Sequence, residues 1–486
     1  MTLALPTDRR PGPLRLALIN PPFRYFPGMK KGGSAYARPP LGIAYLAGYA
    51  RKYFPEPLDI RLFDFITRPG SSYEEMVRVI LDHEPDLVGF TAVTGTIRDV
   101  ERMCSAIHAA RPGVVTIAGG PHITALPTEP HPGIDANLEG ECEQTFVDLL
   151  QALASGGVAS AIPGVHVREG DGWLSGPKPA LLKDLDVVPF PARDLLRDLT
   201  YFHSYPHQNP GAFTTFFTSR GCPFDCNFCG NEIVWDTRVR YHSLPRVYAE
   251  IDHVVEDHGV GLLFFDDDTF TAKKARAREI CGYVRDRHPQ LRWVCHTRAD
   301  TLSRDLVFEM QASGCVEMQI GVESGDPAIM KLTEKRLSIQ SVRDAFGWFK
   351  EAGIKGWATF IVGNIGETRS TVRTTIDFAK AIDPAYASFI ILLPFPGTRA
   401  YTVLKSQGAL LTEDWAHYSW HGRPVFETPA LSRRDLIRLR RLAYLSFYLR
   451  PRKLLQVLLD TLKARSLRET FRNLQAWKSL VAMPAA

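Results

Sequence analysis

The sequence lacks several features that would assign it to a class at once. It has no apolar run that approaches the roughly 18 residues a membrane-spanning helix needs. The N-terminal segment MTLALPTDRRPGPLRLALIN carries prolines and charges where a signal peptide has its apolar stretch. Asn20-Pro21-Pro22-Phe23 follows the first predicted strand in place of a Gly-x-Gly-x-x-Gly turn, which disfavours a dinucleotide site. We therefore expect a cytoplasmic protein without a bound dinucleotide.

Cysteine is scarce, with 8 residues in 486, and 5 of them stand singly in apolar segments as small buried residues do. The other three, Cys222, Cys226 and Cys229, have the spacing C-x3-C-x2-C. In a reducing cytosol such a group indicates metal or redox chemistry more often than disulfides. Three thiolates can hold three irons of a [4Fe–4S] cluster and leave the fourth iron open.

A zinc ion is the alternative occupant of these cysteines, with His203, His207 or His242 as a fourth ligand. Structural zinc sites usually contain two Cys-x-x-Cys pairs, and only one pair here has that spacing. The motif therefore favours the iron–sulfur cluster.

The positive charge of the chain is concentrated near its end. The net charge is +5, yet residues 433–478 contain 13 Lys and Arg against Asp435, Asp460 and Glu469, a local charge of +10. The plainer interpretation is a solvated basic face on packed helices. The alternatives are contact with an anionic membrane surface, to reach a lipid-like substrate, and a nucleic-acid partner.

Residues 1–153 alternate between buried strand patterns and helical patterns, with helices predicted over 39–53, 73–83, 97–110 and 142–153. This alternation predicts a Rossmann-like, doubly wound parallel α/β sheet, which binds ligands beyond the carboxyl ends of its strands. Small residues and hydroxyls at those ends would let a large flat ligand approach the backbone, although each one alone also suits an ordinary turn. The candidates are Thr91, Thr94, Gly119, Gly120, Pro121, Glu139 and Gly140.

The rest of the chain divides into three predicted parts. Residues 154–205 are rich in Gly and Pro and contain a hairpin signal, which predicts an ordered connector. Residues 206–400 contain six strand patterns separated by helical patterns, which predicts a partial (β/α)6 barrel of the TIM type with its chemistry at the C-terminal strand ends. Residues 401–486 are predicted to form a helical, basic C-terminal region.

The cysteine motif, with Phe228 just before its last cysteine, resembles that of the radical S-adenosylmethionine (radical SAM) superfamily. The resemblance continues at later strand ends, in 265–270, 321–325, 360–363 and 394–398. It departs at 363–368, where relatives usually place a proline before the second glycine. The resemblance implies that S-adenosylmethionine contacts Phe228, Asp267, Arg298, Glu323 and Ser324.

The N-terminal part is similar to the cobalamin-binding domain that precedes the barrel in one large subfamily. The residues that carry this similarity include Asn20-Pro21-Pro22, Asp86-Leu87-Val88-Gly89, Gly119-Gly120-Pro121-His122 and Glu139-Gly140-Glu141. The Asp-x-His-x-x-Gly signature of a cobalt-ligating histidine is missing. The resemblance therefore implies base-off cobalamin, with His122 not acting as the axial ligand.

Together the two resemblances imply a cobalamin-dependent radical SAM methyltransferase that acts on an unactivated carbon of a small or lipid-like metabolite. A flavodoxin or ferredoxin would supply the electron. One alternative keeps these cofactors but performs a cyclisation, ring contraction or oxidation, and another is a non-catalytic cobalamin- or redox-responsive sensor. A nucleic-acid substrate is disfavoured, because methylthiotransferases that act on tRNA carry a second cysteine set and Cys104 and Cys142 stand alone here.

Overall fold

The computed structural model describes residues 3–6, 11–23, 38–68, 70–196, 201, 212–420 and 422–462. His203, His207 and the basic tail beyond residue 462 lie outside this part of the chain. Across the described residues, no helix is long and apolar enough to cross a membrane. Two sheets, each covered by helices, organise the fold.

The first sheet has the order β2-β1-β3-β4-β5-β6-β7 within the described residues. Its first five strands pair in parallel, and the β6–β7 hairpin joins β5 antiparallel. The hairpin predicted in the connector therefore extends this sheet. The strands are β1 (Leu14–Asn20), β2 (Leu58–Asp64), β3 (Leu87–Thr91), β4 (Val115–Gly119), β5 (Ala136–Leu138), β6 (Val165–Glu169) and β7 (Gly172–Ser175).

Helices cover both faces of this sheet, as the continuous apolar runs of its strands require. Leu16 and Leu18 of β1 pack towards α1 and α5, while Ala17 and Ile19 pack towards α2 and α3. The doubly wound expectation is thus confirmed. The helices are α1 (Leu41–Tyr53), α2 (Tyr73–Leu81), α3 (Ile97–Ala110), α4 (Pro121–Ala125) and α5 (Cys142–Ser155).

The second sheet is the expected partial barrel. Its six main strands pair in parallel in the order β15-β14-β13-β12-β11-β8, and two short strands, β9 and β10, pair beside it. The strands are β8 (Ala212–Phe216), β9 (Ser219–Arg220), β10 (Arg240–Tyr241), β11 (Val260–Phe265), β12 (Arg292–Thr297), β13 (Cys315–Glu323), β14 (Lys355–Val362) and β15 (Tyr386–Ile391).

The short helix α6 (Asn231–Trp235) directly follows the cysteine motif. The later helices pack around the outer face of the barrel, and several begin at a serine or threonine whose side chain accepts from the first turn, as Ser243, Ser338 and Thr368 do. They are α7 (Leu244–Asp252), α8 (Lys274–Arg287), α9 (Arg304–Ala312), α10 (Pro327–Leu332), α11 (Ile339–Ala352) and α12 (Arg369–Ile382).

The C-terminal part is less helical than expected. It contains α13 (Arg399–Ser406), α14 (Arg433–Tyr448) and α15 (Pro451–Leu462). Residues 407–420 and 422–431 are instead mostly irregular, with one 3-10 turn at Trp415–His417, and Gly408, Pro424 and Pro429 disfavour a longer helix there. This segment returns to the first sheet, where Trp415, Tyr418 and Val425 complete the apolar core beneath α3.

Candidate active site

The cysteine motif lies in the loop that begins after β9, at the carboxyl end of β8. Gly221 directly before Cys222 has a φ of +94°, and a Cβ there would collide with the carbonyl oxygen of Arg238. Only glycine fits this turn, because it tolerates the left-handed backbone and leaves room for the carbonyl. The loop then brings Cys222 within 3.6 Å of Thr269 after β11 and Cys226 within 4.0 Å of Arg298 after β12.

The three thiols are not arranged around a single small ion. Zinc binds thiolates at about 2.3 Å, which brings its sulfur ligands within about 4 Å of one another. Among the described residues, the groups whose ligand atoms all lie within 4.8 Å of one another do not include Cys222, Cys226 and Cys229. The imidazole of His242 lies 3.3 Å from Asp186 instead. As placed, the three sulfur atoms are too far apart to share one tetrahedral zinc ion.

Two buried cations lie near Cys226. The guanidinium of Arg298 stacks on Phe224, 3.5 Å from the ring centre, and Lys335 forms an ion pair of 2.6 Å with Glu323. Burial raises the pKa of the Cys226 thiol above its usual value, and the positive charges of Lys335 and Arg298 offset part of that rise. Both cations therefore favour the thiolate, which is the form that binds iron.

The hydrogen bonds that Arg298 makes within the protein limit its capacity to bind the carboxylate of S-adenosylmethionine. Its Nε and Nη2 bind the carboxylate of Asp300 at 3.0 and 2.9 Å, and Nη2 also donates to the carbonyl of Lys335 at 2.6 Å. The two-pronged face that suits a ligand carboxylate is thus occupied, and only Nη1 points towards Cys226. Lys335, which sequence reasoning missed, is the second cation at this place.

The acidic run after β11 separates into three environments. Asp266 accepts from Arg38 at 2.8 Å and from His296 at 3.2 Å. Burial by itself raises the pKa of Asp266, but Arg38 and His296 outweigh this effect, so the pKa is lowered overall. Asp267 is buried and accepts from Thr218 and Ser219, so its carboxylate is bound within the protein. This placement does not match the contact with S-adenosylmethionine expected of Asp267.

Asp268 faces the open space beside the cysteine motif. Burial raises its pKa to about 6, with the neighbouring Asp267 and Asp266 carboxylates adding to the effect. With its amide oriented to satisfy both partners, Asn231 donates to Asp268 at 3.0 Å and accepts from the Cys222 amide at 2.9 Å. The carboxylate is therefore tied to the first cysteine through one side chain.

The three other residues expected to contact S-adenosylmethionine, Ser324, Phe228 and Glu323, all have partners within the protein. Ser324 is buried, with its hydroxyl 3.1 Å from that of Thr375 and accepting from the Asp326 amide at 3.1 Å. Phe228 packs against the apolar core of the barrel. Glu323 ends β13 with a φ of +67° and is paired with Lys335. Among these three residues, Glu323 is the one linked to the cysteine loop, because it holds Lys335, whose charge acts on Cys226.

The first sheet also holds the cysteine loop in place. Glu141 accepts from Arg220 at 2.9 Å and from Arg240 at 2.6 Å, and Glu143 accepts from Arg220 at 2.5 Å. All four side chains are buried or nearly so, and Arg220 stands immediately before Gly221. The sequence singles out Glu141 only as part of a cobalamin-type motif, whereas its contacts fix the strand that leads into the cysteines.

A cavity of about 580 Å³ lies between the first sheet and the barrel. It opens between the carboxyl ends of β1 and β3, where the strand order of the first sheet reverses and such sheets bind ligands. Its wall is mostly apolar. Residues from the first sheet include Asn20, Thr91, Thr94, Gly95 and Pro121; residues from the barrel include Cys229, Gly230, Asn231, Trp235 and Asp268; Leu393, Phe395, Tyr418 and Trp420 close it.

The candidate cobalamin residues divide around this cavity. Thr91, Thr94 and Pro121 line it, while Gly119, Gly120, Glu139 and Gly140 do not. Gly120 has a φ of +102°, and a Cβ there would come within 3.1 Å of Thr91 Oγ1. Gly140 donates to Thr124 at 3.0 Å, and Glu139 lies 3.0 Å from His166.

His122 does not reach the cavity. Its imidazole is fully buried, with Nδ1 3.2 Å from Thr94 and Nε2 3.2 Å from Glu129. Among the residues described here, no histidine lines the cavity. Besides apolar side chains, the wall presents hydroxyls, backbone, the amides of Asn20 and Asn231 and the charged groups of Arg38 and Asp268 to a ligand, but no imidazole of the described residues.

This fold and site define a class: a radical enzyme whose barrel carries the iron–sulfur motif and whose first sheet carries a corrinoid-binding face. The Radical SAM superfamily matches residues 216–379, and the B12 binding domain matches residues 34–150. An uncharacterized methyltransferase of Pyrococcus horikoshii is 33% identical over 421 residues, which cover 86% of this chain and 89% of the relative. The chain therefore belongs to the radical SAM superfamily, in the branch with a B12-binding domain.

One further relative and one solved structure are similar to this chain, the second in its fold. The anaerobic magnesium-protoporphyrin IX monomethyl ester cyclase of Rubrivivax gelatinosus is 28% identical over 85% of this chain and 74% of the relative. The structure of the methyltransferase TsrM from Kitasatospora setae, with tryptophan substrate and a SAM analogue, has a TM-score of 0.69 at 17% identity and covers 90% of both chains. The protein is an enzyme, so the sensor hypothesis falls away.

The cofactors of this branch are a [4Fe–4S] cluster, S-adenosylmethionine and cobalamin, and the residues present fit them. Cys222, Cys226 and Cys229 lie on one loop beside two cations, which suits a negatively charged thiolate cluster. The small and hydroxyl-bearing side chains of Thr91 and Thr94 leave the switch point of the first sheet open to a large ligand.

Proposed function

We propose that the enzyme is a cobalamin-dependent methyltransferase that acts on an unactivated carbon of a small or lipid-like metabolite. The observation that carries this proposal is the single cavity whose wall includes both Cys229 of the cluster motif and Thr91 and Thr94 of the corrinoid face. A methyl donor on one side and a radical generator on the other require such a shared space. The mostly apolar wall suits a substrate with hydrocarbon surface.

When bound, the cluster and S-adenosylmethionine supply a 5′-deoxyadenosyl radical, and cobalamin supplies the methyl group. The chain contributes position, charge and exclusion of water. Glu141, Arg220 and Gly221 hold the cysteine loop, and Lys335 with Arg298 supplies positive charge beside it. Trp235, Phe395 and Tyr418 form apolar wall around the space, which keeps water from reactive groups.

The individual cofactor contacts form part of the proposal. We assign the cysteine triad to the cluster, and Glu323 and Lys335 to the polar end of S-adenosylmethionine, where Arg298 supplies charge. Thr91, Thr94 and Pro121 would contact cobalamin directly, with Gly119, Gly120, Glu139 and Gly140 shaping the wall behind them. Cobalamin would bind base-off and without His122 as a ligand, and the contacts of both His122 nitrogens with Thr94 and Glu129 support the absence of that ligand.

A radical cyclisation, ring contraction or oxidation is the second candidate, favoured by the similarity to a cyclase over 85% of the chain. Product mass separates the two functions. With a reconstituted, reduced enzyme and a library of apolar metabolites, methyl transfer adds one CH2 to the substrate and labelled methyl from S-adenosylmethionine appears in it. Turnover of substrate without that mass gain excludes methyl transfer and leaves the second candidate.

The first measurement is an anaerobic inventory of iron, sulfide, zinc and cobalt per chain, with a visible spectrum after reconstitution with hydroxocobalamin. About four irons together with bound corrinoid support the proposal. Iron without corrinoid would remove the methyltransferase and keep the radical barrel, and zinc in place of iron at the cysteines would overturn both.

Two partners complete the proposal. A flavodoxin or ferredoxin would supply the electron, which a reduction assay with each carrier tests. The C-terminal helices would touch an anionic membrane surface, because α15 exposes Leu454, Leu455 and Leu459 next to Arg450 and Arg452. Co-sedimentation with anionic vesicles should fall when the three leucines are replaced by Ser; equal sedimentation would contradict this contact.

A further inference from the structure

Two histidines and a glutamate converge in the first sheet, away from the cysteine motif. His122 Nε2 lies 3.2 Å from an Oε2 of Glu129, and His131 Nε2 lies 3.8 Å from the same oxygen. One ligand atom from each of the three residues falls within 4.8 Å of the others. Both imidazoles are fully buried, whereas the Glu129 side chain is 26% exposed. The group is therefore closed on one side and open to solvent on the other.

Hydrogen bonding alone does not account for this group. Nε2 of His131 is buried and has no hydrogen-bond partner in the described part of the chain, with its nearest carboxylate oxygen beyond hydrogen-bonding distance. Nearly all buried polar atoms in folded proteins have a partner, so an unpaired one needs a reason. This nitrogen is directed at the carboxylate and imidazole that accompany it, where it would serve as a ligand.

The opposite side of each ring is held by another side chain. Nδ1 of His131 lies 2.9 Å from Glu101, which is itself bound by Arg98, and Nδ1 of His122 lies 3.2 Å from the Thr94 hydroxyl. Metal-binding histidines are oriented in this way by a carboxylate or another acceptor on the far nitrogen. The partners direct both Nε2 atoms to the same point.

We propose that His122, His131 and Glu129 form a binding site for a divalent transition-metal ion of the zinc class, separate from both radical cofactors. Tetrahedral ligands at about 2.0–2.1 Å from zinc lie about 3.3 Å apart, close to the separations around Glu129 Oε2. Two imidazoles and one carboxylate are a donor set that zinc favours. Water from the exposed side of Glu129 would occupy the fourth position.

The ion would hold together segments that form or support the wall of the large cavity. Trp415 of the returning C-terminal segment donates to both carboxylate oxygens of Glu129, at 2.8 and 3.0 Å. Thr94, bonded to His122, lines the cavity. A metal at this point would therefore link the loop after β4, the corrinoid face and the C-terminal segment.

Zinc content of the cluster-loaded enzyme tests the site. The holoenzyme is treated with a chelating resin, incubated with zinc sulfate, desalted, and analysed for zinc and iron, so that the cluster keeps its cysteines occupied. About one zinc per chain is expected beside about four irons. The zinc absorption edge should show nitrogen and oxygen ligands at about 2.0–2.1 Å and no sulfur.

Three variants separate this site from chance binding. His131→Gln should lose the zinc, and Glu101→Gln should weaken its affinity by about 10- to 100-fold because it removes an orienting partner. His83→Gln, a buried histidine bound to a backbone carbonyl, is the matched control and should keep it. Zinc should also raise the melting temperature of the wild type and not of His131→Gln.

Three results would overturn the proposal: a wild type that retains no zinc, a first shell that contains sulfur, or equal zinc in His131→Gln and the wild type. If His131→Gln fails to fold, the wild-type spectrum and Glu101→Gln decide the question.

Discussion

The barrel and the first sheet are built differently around the cysteine loop and the cavity. In the barrel, beside the cysteine loop, charged side chains form close ion pairs, as Lys335 does with Glu323 and Arg298 does with Asp300. In the first sheet, Thr91, Thr94 and Gly95 present hydroxyls and backbone to the cavity. The barrel region therefore depends on paired charges, and the wall formed by the first sheet depends on the space that its small side chains leave free. Changes of charge should damage the first region, and changes of volume should damage the second.

Removal of one cysteine should have the largest effect. Cys226→Ala leaves the cluster with two thiolates, so iron content and production of 5′-deoxyadenosine should both fall to background, which iron analysis and product chromatography measure. Cys281→Ala, a thiol buried in the barrel core, is the matched control and should keep both. Retained cleavage of S-adenosylmethionine in Cys226→Ala would disprove the cluster assignment.

Loss of a buried cation should come next. Lys335→Met leaves Glu323 buried without a partner, which costs about 3–5 kcal/mol of unfolding free energy and should weaken binding of S-adenosylmethionine. The double variant Lys335→Met/Glu323→Met should regain stability and still bind poorly, as denaturation and equilibrium binding would show. Wild-type affinity in the double variant would mean that the pair is structural only. Lys405→Met breaks an exposed pair and serves as the control.

A volume change on the sheet wall should have a smaller effect. A Cβ on Gly95 would lie 2.5 Å from the carbonyl oxygen of Tyr418, so Gly95→Ala should push the C-terminal segment outwards. Overpacking costs about 1–3 kcal/mol of unfolding free energy. If about 1.4 kcal/mol of this strain opposes binding, corrinoid affinity should fall roughly tenfold in a spectroscopic titration. Iron content should not change. Gly347→Ala, where the added Cβ meets nothing within 4 Å, is the control; equal losses in both would contradict the role of this wall.

The smallest expected effect is a pH dependence of the unfolding free energy caused by Glu367, which accepts hydrogen bonds in the loop after β14. Burial raises its pKa from 4.5 to about 8, against hydrogen bonds from the Gly363 and Asn364 amides. The folded state thus holds this proton more tightly than the unfolded state, and stability falls as pH rises towards 8. Between about pH 7 and pH 9 the wild type should lose about 1 kcal/mol relative to Glu367→Gln. Urea unfolding of both proteins at both pH values measures this. If the difference in unfolding free energy between the wild type and Glu367→Gln is the same at pH 7 and pH 9, the raised pKa of Glu367 is refuted.

Periodic patterns made most of the fold predictable. The helix expected over 97–110 is found as α3 (Ile97–Ala110), because Val100, Met103, Cys104 and Ile107 repeat at helical spacing and all are buried. The six barrel strands follow from apolar runs between helices. The cysteine motif was also readable, since its spacing is local and needs no knowledge of the distant chain.

The contacts of single side chains could not be predicted in the same way. Lys335 stands in a short polar stretch, and nothing local shows that it meets Glu323 from the end of another element. Asp267 turns inwards between two outward carboxylates, a consequence of the alternation of side chains that continues past β11. Trp415 reaches Glu129 across 286 positions of sequence, a separation over which no periodicity operates.

The return of residues 407–431 to the first sheet has a consequence for biosynthesis. Trp415, Tyr418 and Val425 finish a core whose other members precede residue 140, apart from Leu393. At about 5–20 residues per second, the ribosome releases them tens of seconds after the sheet itself. During that interval the core beneath α3 lacks the three side chains that complete it. A shortened chain that stops at the barrel would leave this core permanently incomplete.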